Sequence, residues 1–374
     1  MRVLITGSSG FIGKNLKVRL EELKSFEVLE FTRDHSIERL KDLIHDVHAV
    51  VHLAGENRPE DKCQFDLVNA GLTETVCNII QSTGKHIPFI FSSSVQAELD
   101  NPYGVSKYKA EQLIKKLHED TGNPAAIYRL PGVFGKWCRP NYNSVVATFC
   151  YNLANEKPIQ INVNHTSKLP LVYIDDLITS FISILQNIPQ GLCWPNIEPQ
   201  YSITLSELAA QIHAFENSRT KLLSETVGVG LTRALYATYI SYLPASRFIY
   251  DLKKHSDERG SFVEMLKTKN SGQFSYFTAH PGVTRGGHYH HTKTEKFLVI
   301  FGTARFNFRN ISTGQTYELV CSGEKPQIVE TAPGWTHEVT NIGENLMVAM
   351  LWASEIFDSN NADTVACEVL NEKN

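Results

Sequence analysis

The chain has 374 residues, which suits two domains of roughly 100–200 residues each. Hydrophobic residues make up 42%, charged residues 20%, and the net charge is −4. That balance argues against nucleic acid as a partner, and no apolar run approaches the ~20 residues of a membrane span.

Arg2-Val3-Leu4-Ile5-Thr6 is an apolar run, too short for a signal peptide, and reads as a first strand. It leads into Gly7-Ser8-Ser9-Gly10-Phe11-Ile12-Gly13 and then a helical pattern with Leu16, Leu20 and Leu23. Glycines between a strand and a helix let the backbone approach a pyrophosphate, and the helix N-terminus favours its charge. Gly7, Gly10, Phe11, Ile12 and Gly13 are therefore candidate cofactor-binding residues. A second strand, Val28–Phe31, ends at Thr32-Arg33-Asp34. NAD sites usually carry an acid about 20 residues past the glycine loop, whereas a cation suits a 2′-phosphate. Arg33 stands there, so the expected cofactor is NADPH, with Glu30 and Asp34 leaving NAD open.

Ala49–Leu53 reads as a third strand, ending at Ala54-Gly55, and Phe89–Phe91 as a fourth, ending at Ser92-Ser93-Ser94. A helix over about 103–120 and a fifth strand, Ala125–Leu130, follow. Buried strands alternating with helices imply βαβ units and a Rossmann-like parallel sheet. Tyr103 and Lys107 are spaced i,i+4 and share one helical face. A phenol near pKa 10 is a poor acid or base at neutral pH. A nearby ammonium and an oxidised nicotinamide would lower that value. Ser94, or Ser93, is placed at the strand end to hold the same substrate oxygen.

The alternation fades after about residue 180, and 218–250 looks helical. Pro244 and Lys253-Lys254-His255-Ser256-Asp257 mark a boundary, giving domains 1–245 and 250–374. Beyond it, short strands at 296–301, 303–308, 315–320 and 346–352 separated by turn residues indicate an all-β sandwich or barrel. Five of fourteen histidines fall between His280 and His337. Alternation along a strand turns His288 and His290 the same way, and Glu295 and His337 can join them from neighbouring strands. Three histidines and a carboxylate suit Zn²⁺ or another divalent transition metal. Seven scattered cysteines without a CxxC spacing fit a reduced, cytoplasmic setting.

The glycine loop, the serine after the fourth strand and Tyr103-x3-Lys107 resemble the extended short-chain dehydrogenase/reductase family. So do Leu53-Ala54-Gly55, Arg129-Leu130-Pro131-Gly132-Val133-Phe134-Gly135 and Tyr173-Ile174-Asp175-Asp176. The resemblance implies Tyr103 as general acid/base, Lys107 as the residue that binds the nicotinamide ribose and tunes it, and Ser94 as the orienting hydroxyl. It adds Leu53, Ala54, Gly55 and Pro131 to the cofactor set. Only eight residues separate Ser94 from Tyr103, fewer than is usual, which keeps Ser93 open. Ser94 is followed by Val95-Gln96-Ala97 rather than the acidic pair of the family's dehydratases, so the reading is hydride transfer.

Gly282-x5-His288-x-His290-x4-Glu295-x6-Gly302 and Pro333-Gly334-x2-His337-x3-Asn341 resemble the two cupin motifs, implying a double-stranded β-helix. Asp257–Glu264 and Gly282–Tyr289 also resemble cupin sugar 3,5-epimerases, in which a histidine at the position of His288 is a base without metal. His288 is thus either ligand or base. Stretches such as Phe134–Cys138, Pro140–Val145 and His290–Val299 are similar to the bifunctional capsular polysaccharide synthesis enzymes of the UDP-N-acetyl-L-fucosamine pathway. That resemblance implies a UDP-linked 4-ketosugar epimerised at C3 and reduced at C4, and a homodimer. Lys136, Arg139 and Asn143 are candidate holds on the diphosphate or sugar. The competing readings are a 4-epimerase whose nicotinamide is not consumed, and a cupin used only for binding or dimerisation.

Overall fold

Strand β1 (Arg2–Thr6) has Val3, Leu4 and Ile5 fully buried, as a strand covered on both faces must be. This computed structural model describes the chain except residues 60, 62, 162–166, 258–259, 264–265, 269–271, 356–359 and 370–374. Glu258, Arg259 and Glu264 of the epimerase-like stretch lie outside the described residues. Strands β2 (Glu27–Phe31), β3 (Ala49–His52), β4 (Phe89–Ser94) and β5 (Ala125–Leu130) join β1 in the parallel order β2-β1-β3-β4-β5. Strand β6 (Gly132–Phe134) pairs with β7 (Leu169–Tyr173), and β8 (Leu192–Cys193) extends the main sheet beside β5. The order reverses between β1 and β3, where open α/β sheets take ligands.

Helices α1 (Phe11–Glu22), α2 (Ile37–His45), α3 (Leu72–Thr83) and α4 (Pro102–Thr121) alternate with these strands. Helix α4 starts sharply: the Asn101 side chain accepts from Gly104 N at 2.9 Å and Pro102 opens the first turn. It ends at Gly122, in the left-handed conformation that favours glycine. Ala110, Ile114 and Leu117 then bury one face and hold Tyr103 and Lys107 at the strand ends.

The chain packs as two units, residues 1–144 with 169–202, and residues 145–168 with 203–374. The stretch expected to be helical over 218–250 resolves into the end of α5 (Leu205–Lys221), then α6 (Gly230–Ser241) and turns. Both helices pack in the second unit, although the sequence reading grouped them with the first domain.

Two antiparallel five-stranded sheets form the β part of the second unit. One has the order β9 (Ile249–Asp251), β15 (Gln327–Thr331), β12 (Glu295–Phe301), β17 (Met347–Ala353), β10 (Gln273–Ala279). The other runs β14 (Thr316–Ser322), β13 (Thr303–Asn310), β16 (Trp335–Asn341), β11 (Thr284–Tyr289), β18 (Val365–Ala366). Inward residues such as Phe297, Phe306, Phe308 and Trp335 fill the space between them, as alternation along sandwich strands requires. The architecture is the expected one: a Rossmann-like parallel sheet followed by a cupin.

A charge cluster ties α5 to this β part. Arg219 of α5 and Lys296 of β12 both pair with Glu330 of β15, and Tyr250 Oη accepts from Lys296 Nζ at 3.2 Å. All three charged residues are buried. Removing the shared anion leaves two buried cations, so Glu330→Ala should cost about 3–5 kcal/mol. Denaturant unfolding of the full chain should show this as a lower midpoint for the second unit.

Candidate active site and candidate metal centre

A cavity of about 660 Å³ opens at the C-terminal ends of the parallel strands. Gly7 has φ +72°, and a Cβ on it would lie 2.7 Å from Ala54 N; one on Gly13 would lie 2.3 Å from Gly7 O. Strand end, helix start and the loop after β3 therefore meet backbone to backbone. The N-cap of α1, Gly10, makes no side-chain cap bond and the first turn carries no acid. The opening N–H groups of α1 thus remain available to an anion. Gly7, Gly10, Phe11, Ile12, Gly13, Leu53, Gly55 and Pro131 all line the cavity. Ala54 instead donates its N–H to Thr6 Oγ1 at 3.2 Å and fixes the loop. Arg33 stands on the rim, its side chain 85% exposed, with Nη2 2.8 Å from Glu56 Oε2.

Tyr103, Lys107 and Ser94 line the same cavity. Burial pushes the Tyr103 phenol above its ordinary pKa, opposed by a hydrogen bond with Ser94. The lowering expected from Lys107 is not produced by the chain itself. Lys107 Nζ donates to Ser92 O at 2.9 Å and lies 6.0 Å from the Tyr103 ring centroid. Lys107 is buried, which lowers its pKa to about 8, with Glu111 opposing. Both serines line the cavity, but Ser93 is already engaged: its Oγ donates to the buried Glu111 Oε1 at 2.5 Å, and Glu111 also pairs with Arg129.

The segment after β6 departs from expectation. Arg139 and Asn143 line the cavity, but Lys136 does not. Its ammonium is 1% exposed and reaches both Asp175 oxygens, at 2.9 and 3.1 Å, so Lys136 is a structural ion pair rather than a hold on substrate. Three residues that sequence reasoning missed complete the site. Glu56 and Tyr142 line it, and Asn69, on a π-helical turn over Phe65–Gly71, braces it from behind. A π-helical turn breaks the 3.6-residue period, so no spacing signal marks Asn69.

In the second unit, the ligand atoms of His288, His290, Glu295 and His337 all lie within 4.8 Å of one another. A register shift at Gly286–His288, with both glycines at positive φ, aims His288 beside its cross-strand neighbour His337. Glu295 Oε2 is 3.3 Å from His290 Nε2 and 3.2 Å from His337 Nε2. Burial, with His337 and His290 alongside, lowers the His288 pKa to about 4, so its imidazole is neutral at pH 7. Three imidazoles and a carboxylate, mostly buried, are the donor set of a zinc-type site. The main support of this cluster carries no local spacing signal. Asp363 accepts from His290 Nδ1 through its carbonyl at 2.5 Å. Its carboxylate accepts from the backbone N–H groups of His291, Thr292 and Lys293 at 2.7–2.8 Å. The first bond leaves His290 Nε2 facing the cluster.

Comparison with known proteins agrees with this geometry. Residues 3–194 match the NAD dependent epimerase/dehydratase family, and residues 255–365 the polysaccharide biosynthesis C-terminal domain. The chain is 55% identical, over 99% of both chains, to a UDP-2-acetamido-2,6-beta-L-arabino-hexul-4-ose reductase of Pseudomonas aeruginosa. It is 27% identical to an Escherichia coli dTDP-4-dehydro-6-deoxyglucose reductase, over 56% of this chain and 80% of that one. The crystal structure of the capsular polysaccharide assembling protein CapF from Staphylococcus aureus is similar, with TM-score 0.67 and 38% identity over 99% of this chain and 100% of that one.

Two outcomes are expected. Asp363→Ala should weaken metal binding by about 10–100-fold in chelator competition, because the loop carrying the ligands loses its brace. Lys107 is charged below a pKa of about 8 and neutral above it. Titration of the full chain with NADPH should therefore show affinity falling as pH rises through 8, and a Lys107→Met variant should bind weakly without that step.

Proposed function

Because the chain belongs to the NAD dependent epimerase/dehydratase family and carries a polysaccharide biosynthesis C-terminal domain, we propose that it is a bifunctional nucleotide-sugar enzyme of capsular polysaccharide synthesis. Its cupin domain epimerises a UDP-4-keto-6-deoxy-HexNAc at C3. Its reductase domain then reduces the C4 ketone with NADPH to give UDP-2-acetamido-2,6-dideoxy-L-talose. The functional domains are 1–245 and 250–374.

What carries this reading is the placement of Tyr103, Ser94 and Lys107 together in the cavity at the glycine loop, along with the match to a hexulose reductase along almost the whole chain. When bound, the dinucleotide supplies hydride and the metal supplies Lewis acidity. Ser94 orients the ketone oxygen and Tyr103 protonates it. A phenol whose pKa is raised by burial keeps its proton at neutral pH, which is the state a ketone reduction consumes. Lys107, next to the nicotinamide ribose in this reading, stabilises the phenolate left behind. His290, Glu295 and His337 would hold the metal, with His288 as a fourth ligand or as the base that removes the C3 proton. That proton is acidic only while C4 is a ketone, so epimerisation precedes reduction.

Incubating the full chain with NADPH and UDP-4-keto-6-deoxy-HexNAc in D₂O tests both steps. Tyr103→Phe should slow NADPH oxidation by about 10²–10⁴-fold, while NMR still shows deuterium entering C3. Metal removal should stop that exchange. Turnover without net NADPH oxidation in the wild type would reject the reductase reading.

A further inference from the structure

The cavity contains a carboxylate that the proton-transfer chemistry does not use. Glu56 Oε2 holds Arg33 Nη2 at 2.8 Å, and Glu56 Oε1 accepts from the Tyr142 hydroxyl at 2.8 Å and from Asn57 N at 3.2 Å. The Glu56 side chain is 14% exposed, against 85% for Arg33. Its backbone is clamped on both sides: Asn69 Oδ1 accepts from Glu56 N at 2.8 Å, and Asn69 Nδ2 donates to Glu56 O at 3.1 Å. Asn69 Nδ2 also donates to Ser106 Oγ at 3.0 Å, one residue before Lys107 on α4. On the other side, the Arg139 guanidinium lies 5.1 Å from the Tyr142 ring centroid. One fixed anion thus joins the exposed cation at the cavity rim to the lining segment that carries Arg139, Tyr142 and Asn143.

We propose that Glu56 is a specificity-determining residue: it stands in for a 2′-phosphate on Arg33 and, through Tyr142, relays the exchange to the sugar-nucleotide side of the cavity. The inference rests on the reading of Arg33 as the 2′-phosphate residue. A 2′-phosphate and the Glu56 carboxylate are like-charged competitors for one guanidinium, and Arg33 is the partner with room to leave. NADPH therefore separates Arg33 from Glu56. The carboxylate, held in place by Asn69, keeps only its neutral donors, and Tyr142 becomes its principal side-chain partner. A charge-assisted hydrogen bond that loses its competing cation tightens, which fixes Tyr142 and the Arg139 stacked on it. NADH carries no 2′-phosphate and leaves the Arg33–Glu56 pair intact.

The experiment is calorimetric titration of the full chain with UDP while it is saturated with NADPH or with NADH. UDP should bind at least about fivefold more tightly in the NADPH form, the lower end of ordinary coupling between sites. Glu56→Gln keeps the size and the clamp but not the charge. It should bring the NADPH-to-NADH ratio of UDP affinities to about one and tighten NADPH itself. Tyr142→Phe should also abolish the ratio. Equal UDP affinity in the two wild-type forms, or a ratio that survives in Glu56→Gln, overturns the proposal. Arg33→Ala separates the layers. Loss of its preference for NADPH over NADH supports the reading of Arg33, whatever Glu56 does; an unchanged preference rejects that reading and the inference with it.

Discussion

The reductase site depends on one close backbone contact. The end of β1, the start of α1 and the loop after β3 approach so nearly that a single Cβ at Gly7 or Gly13 would overlap main-chain atoms. With no side chains between them, the uncapped N–H groups of α1 point into the cavity, and the loop carrying Gly55 and Glu56 is fixed at its edge. Gly55 also leaves the space that Lys107 fills: a Cβ there would be 3.3 Å from Lys107 Nζ and 2.9 Å from Asn69 Oδ1. A buried ammonium is costly unless it finds acceptors. Ser92 O supplies one at 2.9 Å. The cofactor loop and the proton-transfer helix are therefore not independent features, because the same glycine-bearing loop shapes both.

The second unit meets a related problem with different means. Four polar ligands gather beside an aromatic core, with Phe297 and Phe308 rings 6.2 and 6.4 Å from the ring of His337. Collecting such groups in a low-dielectric interior is unfavourable by itself, and a bound cation would reverse the balance. The Asp363 carbonyl has already chosen the tautomer and direction of His290. Asp363 ties down both His290 and the turn after it. Its carboxylate stays ionised despite burial, because His291 and the backbone N–H groups around it favour the charged form.

What the sequence made legible was what local spacing encodes. Gly7-x2-Gly10-x2-Gly13 and Tyr103-x3-Lys107 each declare a geometry within one turn, and each is found where that geometry puts it, whereas His288 and His290 come together across a register shift, His290 lying just past the end of β11. The elements followed for the same reason, β1 to β5 lying within a residue or a few of their expected bounds. The residues that were missed owe their roles to distant partners. Tyr142 meets Glu56 from 86 positions away, and His290 meets Asp363 from 73. Lys136 fails in the opposite direction. In the sequence it is one more cation near a diphosphate-like segment, but Asp175, 39 positions on, takes its charge into the interior. A side chain's residue type is local information, whereas whether its charge is free is decided by the fold.

The proposed function gives a reason for the two chemistries to share a chain. Proton exchange next to a ketone is reversible, and its position is set by the relative stability of the two ketosugars rather than by the catalyst. Reduction of the ketone removes the acidity on which that exchange depends, and so makes one stereochemical outcome permanent. An epimerase alone would return a mixture. A reductase alone would trap whichever isomer reached it first. The pairing is selective only if the reductase cavity discriminates between the isomers, and that discrimination must come from residues which face the sugar rather than from Tyr103, which sees only the oxygen common to both. Arg139, Tyr142 and Asn143 line the cavity, and Glu56 accepts from one of them while pairing with Arg33 at the rim. Under the proposed function, selection of the epimer and selection of the cofactor would fall to neighbouring side chains of one hydrogen-bonded wall, which is where a two-step enzyme needs its second step to be selective.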